Sequence, residues 1–174
     1  VMDPTIPATQ LPVVEWFVEV PHWYRDGNTN NREEISTTIF YNDRLYDNVR
    51  VRVRGGVTFS QPKPNFKFDF YSGGRFQYDD NQPSVEEINL QSLMGELPIR
   101  TYMRNPLAYQ LFRDTGHAAP ESFYIHVRQN GEFYGLAAFE EQIDRTFLEK
   151  HGFDPEGALY KARNGAMLQT EPSN

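Results

Sequence analysis

Cysteine is absent from the 174-residue sequence, which excludes disulfide bonds and thiolate zinc sites. The redox character of the compartment therefore stays open. The sequence also lacks any apolar run near the roughly 18 residues that a membrane-spanning helix needs, so no membrane span is expected. No secretory leader follows Val1. We interpret the chain, which starts at Val1 and stops at Asn174, as an excerpt of a longer protein.

Positive charge is in the minority, with 17 lysine and arginine residues against 24 aspartate and glutamate residues and a net charge of −7. This balance argues against a nucleic-acid partner bound through bulk electrostatics, although a local basic patch spans residues 50–67. The 13 phenylalanines and 10 tyrosines suffice for a substantial core, which excludes a disordered chain. The length corresponds to one domain or one lobe of a larger domain.

The clearest pattern is a strict alternation of apolar and polar residues over 49–54 and again over 65–70. Successive side chains of a strand point to opposite faces, so each stretch predicts a half-buried strand. The connection between the two strands begins with Gly55 and Gly56 and carries Lys63. A flexible polar loop that is flanked by arginines and holds a lysine is suited to binding an anion.

Strand patterns recur along the chain, at 13–20, 35–41, 45–46, 88–90, 122–129, 132–139 and 158–162. The dipeptides Asn42-Asp43 and Asn130-Gly131 predict turns between neighbouring strands. The second is the signature of a type I′ hairpin, because both central residues of that turn need positive φ.

The clearest helix is expected after Asn105, with Pro106 in its first position and Gly116 at its end. Leu107, Leu111 and Phe112 are expected to fall on one face of this helix. A shorter helix is expected over 144–150, and its predicted buried stripe is Ile143, Phe147 and Leu148. The predicted fold class is α+β, with a mainly antiparallel sheet and two or three helices.

Several segments resemble the CotH kinase family, a group of atypical protein kinases named for a spore-coat protein. The resemblance rests on RVRG at 52–55, KPNFKF at 63–68, the helical segment 103–116, NGEFYGL at 130–136, EQID at 141–144 and LYK at 159–161. The segments occur in the family's order and cover most of the chain, which makes the match specific.

The resemblance implies ATP-dependent phosphoryl transfer, with Mg²⁺, to Ser/Thr hydroxyls of a coat or envelope protein. It also implies a protein-kinase-like fold, of which residues 1–174 form the N-terminal lobe as a single domain fragment. The family's metal-binding aspartates are expected beyond Asn174. We therefore expect the full-length protein to be an enzyme, the fragment alone to be inactive, and the location to be secreted, at the cell surface or in the spore coat.

The family pattern assigns site roles to three residues of this chain. Lys63 and Glu141 are the predicted catalytic pair, in which the carboxylate holds the phosphate-binding ammonium in place. Arg54, Lys63 and Glu141 are predicted to bind ATP. Each has an alternative: Lys63 as a solvated surface lysine, Arg54 as the partner of Asp69 on the next strand, and Glu141 with Glu140 as acidic residues at a helix start.

Other polar residues point to no site of their own. Asp144 is interpreted as a helix cap. Ser60 has no His/Asp constellation around it, and the four histidines, at 22, 117, 126 and 151, lack metal-ligand spacing. A second hypothesis is a non-catalytic structural or adhesion module of a surface or coat, because neither a recognised glycine-rich phosphate loop nor a metal-binding carboxylate pair is visible.

Overall fold

The computed structural model describes residues 9–25, 33–56, 61–94 and 101–160. Seven strands and two helices lie in these ranges: β1 Val13–Phe17, β2 Ile35–Tyr41, β3 Arg44–Arg54, β4 Asn65–Asp69, β5 Glu87–Gln91, α1 Arg104–Asp114, β6 Ser122–Gln129, β7 Glu132–Glu141 and α2 Arg145–Lys150. The chain divides into two compact units, Val1–Gln142 and Ile143–Asn174, so the barrel below belongs wholly to the first.

The seven strands form a closed barrel in the order β1-β2-β3-β4-β5-β7-β6. All neighbours are antiparallel except β1 and β6, whose parallel pairing closes the barrel. The predicted fold class, an α+β kinase-like lobe, is therefore wrong. Alternation shows which stretches are strands. It does not show that β1 pairs with β6, which lies more than a hundred residues further along the chain, because the sequence of neither strand specifies its partner.

Aromatic and β-branched residues fill the barrel because alternate positions of every strand point inward. Trp16 is fully buried, and its ring centroid lies 4.9 Å from that of Phe66 and 5.3 Å from that of Phe68. Val51 and Val53 of β3 face the same interior and are at most 1% exposed. The alternation predicted for residues 49–54 and 65–70 is confirmed.

Both predicted turns are present, and the type I′ geometry predicted for Asn130-Gly131 is found in both. Asn42 and Asp43 take φ values of 47° and 59° between β2 and β3, and Asn130 and Gly131 take 52° and 88° between β6 and β7. Positive φ at both central residues is the type I′ requirement. The predicted strands Ile35–Tyr41 and Ser122–Gln129 match the structure at both ends, whereas β1 stops at Phe17 and Val20 is exposed.

Helix α1 differs from its prediction at its start. Its cap position is Met103, without a side-chain cap, because Asn105 lies inside the helix. The three apolar residues expected on one face are exposed, at 56% for Leu107, 65% for Leu111 and 54% for Phe112. The predicted ending is correct: Gly116 has φ 81°, and the two bonds of a Schellman motif follow the helix.

The second unit contains α2, which begins as predicted after Asp144. The Asp144 carboxylate accepts a hydrogen bond from the N–H of Phe147 at 3.1 Å, so its interpretation as a cap is confirmed. Phe147 is buried, whereas Ile143 is exposed. The strand predicted at 158–162 is absent over 158–160, and its remainder lies outside the described residues, as does Ser60. Neither helix is long and apolar enough to cross a membrane.

We expect Phe68→Ala to lower the free energy of unfolding by about 3 to 5 kcal/mol, because it empties a fully buried site beside Trp16. The matched control is Phe40→Ala on β2, where the ring is 38% exposed; its cost should be about 1 kcal/mol or less. Urea titration of both variants measures the difference. Equal losses would contradict the placement of Phe68 inside the barrel.

Candidate functional site

The outward side chains of β3, β4, β5 and β7 form a continuous polar surface on the barrel wall. Inward residues such as Phe66, Leu90 and Phe139 alternate with them along each strand. Strand register then places the outward residues of neighbouring strands side by side, in rows across the sheet that we call rungs. We call this surface the polar face; it consists of Arg52, Arg54, Asn65, Lys67, Asp69, Glu87, Asn89, Gln91 and Glu140. The polar face contains both cations and carboxylates, and several of these side chains are partly buried. A buried charge is costly unless it is paired, so opposite charges are expected to lie in contact there.

Lys67 stands at the centre of the polar face between two carboxylates. Its Nζ lies 2.6 Å from Glu87 Oε1 and 3.0 Å from Asp69 Oδ1, and its side chain is only 16% exposed. Burial raises the pKa of the Glu87 carboxyl, with the Lys67 hydrogen bond acting in the opposite direction. The ammonium is therefore held in one position by two acidic partners.

Arg54 and Glu140 form the second charged element of the polar face. Burial lowers the pKa of the Arg54 guanidinium, and the nearby negative charge of Glu140 opposes that shift. Glu140 is 7% exposed and accepts hydrogen bonds from Gln91 Nε2 at 2.8 Å and from Asn105 Nδ2 at 2.7 Å. Because Asn105 belongs to α1, its hydrogen bond to Glu140 also links the helix to strand β7 of the barrel.

Lys63 lies apart from these groups, at the end of the barrel where β3 connects to β4. Its Nζ donates to the carbonyl oxygen of Leu136 on β7, and burial lowers its pKa. The lysine stem runs over Gly135, where an added Cβ would sit 3.2 Å from Lys63 Cδ. Gly135 has φ 154°, a backbone conformation that other residues rarely adopt, and a side chain there would also displace the lysine slightly.

Glu141 faces the interior of the barrel, 3% exposed. Its Oε2 accepts from the N–H of Glu121 at 3.0 Å, and its charge adds to the burial that raises the pKa of Tyr78. Leu136, which Lys63 contacts, and Glu141 are five residues apart on β7, or about 16 Å along a strand. The structure does not bring Lys63 and Glu141 together; their catalytic roles stay predictions.

The structure does bring Arg54 to a carboxylate, but not to the one considered from the sequence. Register places Arg54 opposite Asn65, while Asp69 lies opposite Arg50 and contacts Lys67. The alternative pairing of Arg54 with Asp69 is therefore wrong. The neighbour is Glu140, whose charge acts on Arg54 from β7.

Sequence reasoning missed Lys67, Glu87 and Glu140. A signal existed for Lys67, because it stands between Phe66 and Phe68 in an alternating strand and must point away from the core. No such signal existed for Glu140, because its role depends on which strand lies beside β7. Across the described ranges, no group of three His, Asp or Glu side chains is placed to hold a metal ion.

We expect Glu140→Ala to lower the free energy of unfolding by about 3 kcal/mol, because it removes a carboxylate near Arg54 and leaves the partly buried amide groups of Gln91 and Asn105 without this acceptor. Glu132→Ala, an exposed position at the start of the same strand, is the matched control and should cost less than about 0.5 kcal/mol. Thermal or urea unfolding provides the measurement. A near-neutral Glu140→Ala would show that this carboxylate does not organise the polar face.

The raised pKa of Glu87 predicts a pH dependence. Burial places it above the ordinary value of 4.5, so the folded state holds the proton more tightly than the unfolded state. The resulting stabilisation is complete below 4.5 and is lost as pH rises through the folded-state pKa. The free energy of unfolding of the wild type should therefore fall relative to that of Glu87→Gln as the pH rises above 4.5.

The neighbouring Glu86→Gln serves as the control for Glu87→Gln, because Glu86 is 51% exposed. Its difference from the wild type should stay nearly constant over the same pH range. A constant difference for Glu87→Gln as well would mean that burial does not perturb this carboxyl.

The sequence profile of the CotH kinase protein family matches residues 51–174. The match begins within β3 and includes every residue of the polar face. Among curated proteins, no sequence matches this chain significantly. The profile covers well over half of the chain and confirms the resemblance that the sequence segments indicated. The chain belongs to the CotH kinase protein family.

Proposed function

We propose that this chain supplies the phosphate-binding surface of a CotH-type, ATP-dependent protein Ser/Thr kinase. The observation that carries the proposal is Lys67, a strand lysine whose ammonium is held by Glu87 and Asp69. Protein kinases place a strand lysine on the phosphates of ATP and hold it with a glutamate. Lys67 and Glu87 meet that requirement on adjacent strands inside the family match.

Arg54 supports the proposal from one rung away. A guanidinium offers a rigid fork of donors for phosphate oxygens, whereas an ammonium acts as a compact point charge. Glu140 places a negative charge near Arg54, on the same polar face as Lys67. We propose that Arg54 and Lys67 bind phosphate, and that Glu87, Asp69 and Glu140 position them.

Lys63 remains a proposed phosphate contact, because it lies in the connection that follows Arg54 and leads from β3 to β4. Its ammonium contacts a carbonyl oxygen, so a phosphate would not have to displace a carboxylate from it. For Glu141, the contacts to Glu121 and the proximity to Tyr78 support a structural role more directly than the proposed catalytic one.

The donor set of the polar face fits the phosphate groups of ATP, whose γ-phosphoryl group is the one that such an enzyme transfers to a protein hydroxyl. We propose Mg²⁺ as the accompanying metal ion. None of its ligands is assigned to the described residues, which contain no three-ligand group. We accordingly expect the 174-residue chain alone to bind ATP weakly and to transfer no phosphate.

A second candidate function is a structural or adhesion role in a spore coat or at a cell surface. The exposed apolar residues of α1, Leu107, Leu111 and Phe112, favour it because they offer a hydrophobic surface to another protein. On this proposal the polar face is structural, and ATP is not bound. Nucleotide binding therefore separates the two functions.

We expect Lys67→Met to weaken ATP binding at least about tenfold and to abolish phosphate transfer in the longest natural protein that contains this chain. The reason is the loss of the positive charge that faces the phosphates. Calorimetry with ATP, with and without Mg²⁺, and transfer of labelled γ-phosphate to protein are the measurements. The double variant Lys67→Met/Glu87→Gln, which removes the stranded carboxylate, tests the same charge if the single variant is unstable.

Arg44→Ala is the control, because Arg44 pairs with the exposed Asp80 far along β3 from the polar face. It should bind ATP and transfer phosphate like the wild type. Wild-type activity in a folded Lys67→Met protein would refute the assignment. Absence of ATP binding by the wild-type protein would favour the structural role.

A further inference from the structure

The outer side of α1 carries four exposed residues in the spacing that packs one helix against another. They follow one another at intervals of three, four and three residues. At roughly 100° per residue, they lie within about 80° of arc on the helix surface, as the a and d positions of a heptad do. We call them the α1 seam: Arg104, Leu107, Leu111 and Asp114.

The opposite side of α1 holds the helix on the barrel. Pro106 is buried there, and Asn105 donates a hydrogen bond of 2.7 Å to Glu140 of β7. Near the other end of the helix, Arg113 donates to the carbonyl oxygen of Pro120. These side chains point away from the α1 seam, so another molecule can cover the seam without displacing the helix from the barrel.

The charges of the α1 seam oppose the dipole of their own helix. Arg104 is the first residue of α1 and Asp114 is the last. A helix favours an anion at its N-terminus and a cation at its C-terminus, so each charge lies at the less favourable end. Proteins depart from such local preferences mainly at functional sites, so this inverted arrangement points to a partner.

A second copy of the chain has the complementary surface when the two helices pack antiparallel. In a two-fold pair centred at the level of residue 109, each residue lies opposite the residue at the same distance beyond the centre. Leu107 then lies opposite Leu111, each two residues from the centre. Arg104 lies opposite Asp114, each five residues from the centre. Each charge also reaches the end of the other helix that favours its sign.

We propose that the chain forms a two-fold symmetric dimer through the α1 seam, with the two helices antiparallel. The leucines supply apolar contact, and two pairs of Arg104 with Asp114 determine the register. A helix of 11 residues is about 16 Å long, so its interface is smaller than the roughly 800 Å² per partner of a standard complex. We therefore expect a weak dimer, with a dissociation constant of about 10 to 100 µM.

The dimer needs no nucleotide, so the inference does not depend on the proposed kinase activity. It names a second copy of the chain as the occupant of the apolar surface that the second candidate function offers to another protein. A failure of ATP binding would therefore leave this inference intact, and a failure of dimerisation would leave the proposed phosphate-binding surface intact.

The test is sedimentation equilibrium from about 1 to 500 µM, without nucleotide, of the 174-residue chain and of the longest natural protein that contains it. Both should pass from monomer to dimer. Leu111→Asp should weaken dimerisation at least about tenfold, because it places a carboxylate among the leucines of the seam. Leu45→Asp on β3 is the matched control, since Leu45 is 66% exposed and Leu111 65%. It should change the dissociation constant less than about twofold.

Charge reversal tests the antiparallel register. Arg104→Asp and Asp114→Arg each place like charges opposite each other at both ends of the seam, and each should weaken dimerisation about tenfold. The double variant restores opposite charges, so it should dimerise at least about threefold more tightly than either single variant. Each reversal agrees with the dipole of its own helix, so the variants should stay folded, which circular dichroism checks.

The proposal is overturned if the wild type stays monomeric up to about 500 µM, or if Leu45→Asp weakens the dimer as much as Leu111→Asp. It is also overturned if the double reversal dimerises no better than the single variants, because association would then not depend on the antiparallel register. A dimer of the 174-residue chain beside a monomeric longer protein would overturn it as well, since another segment of that protein would then cover the seam.

Discussion

The structure depends on the parallel pairing of β1 with β6, which turns a row of antiparallel strands into a closed barrel. Glu15 and Arg128 lie opposite each other in this pairing and form an ion pair of 2.6 Å with little exposure on either side. The Asn130 side chain adds two hydrogen bonds: its Oδ1 accepts from the N–H of Val18, and its Nδ2 donates to the carbonyl oxygen of Val18. Closure leaves no strand edge among the seven and encloses Trp16, around which the aromatic core is packed.

Closure also determines where charge can be placed. An interior filled by aromatic rings leaves the outside to most polar residues of the alternating strands, and on β3, β4, β5 and β7 these residues lie side by side across neighbouring strands. The carboxylates of Asp69 and Glu87 flank one ammonium there, and Glu140 joins the barrel wall to Asn105 of α1. The proposed phosphate-binding surface is thus a consequence of the barrel: its charges are aligned by strand register and are partly shielded from water.

Local features of the chain were predictable and remote ones were not. The turn at Asn130-Gly131 and the end of α1 at Gly116 depend on backbone preferences of one or two residues, and both were correct. The exposure of Leu107 and Leu111 was not predictable, because periodicity shows that they share a side of α1 but not what lies against that side. Lys63 and Glu141 were predicted as partners from a family pattern. In the structure, Lys63 contacts Leu136, five residues before Glu141 on β7, so the two side chains do not meet.

By itself, the sequence determined most of the strands, their inward and outward residues, the type I′ turn at Asn130-Gly131 and the membership of the CotH kinase protein family, because each depends on residues that are close together in the chain. The tertiary structure alone decided that the sheet closes, that Lys67 meets Glu87, that Arg54 lies near Glu140 and that Glu141 points into the core. Those facts depend on which strands become neighbours. Strand pairing is selected by the packing of the whole interior, and no short segment encodes it.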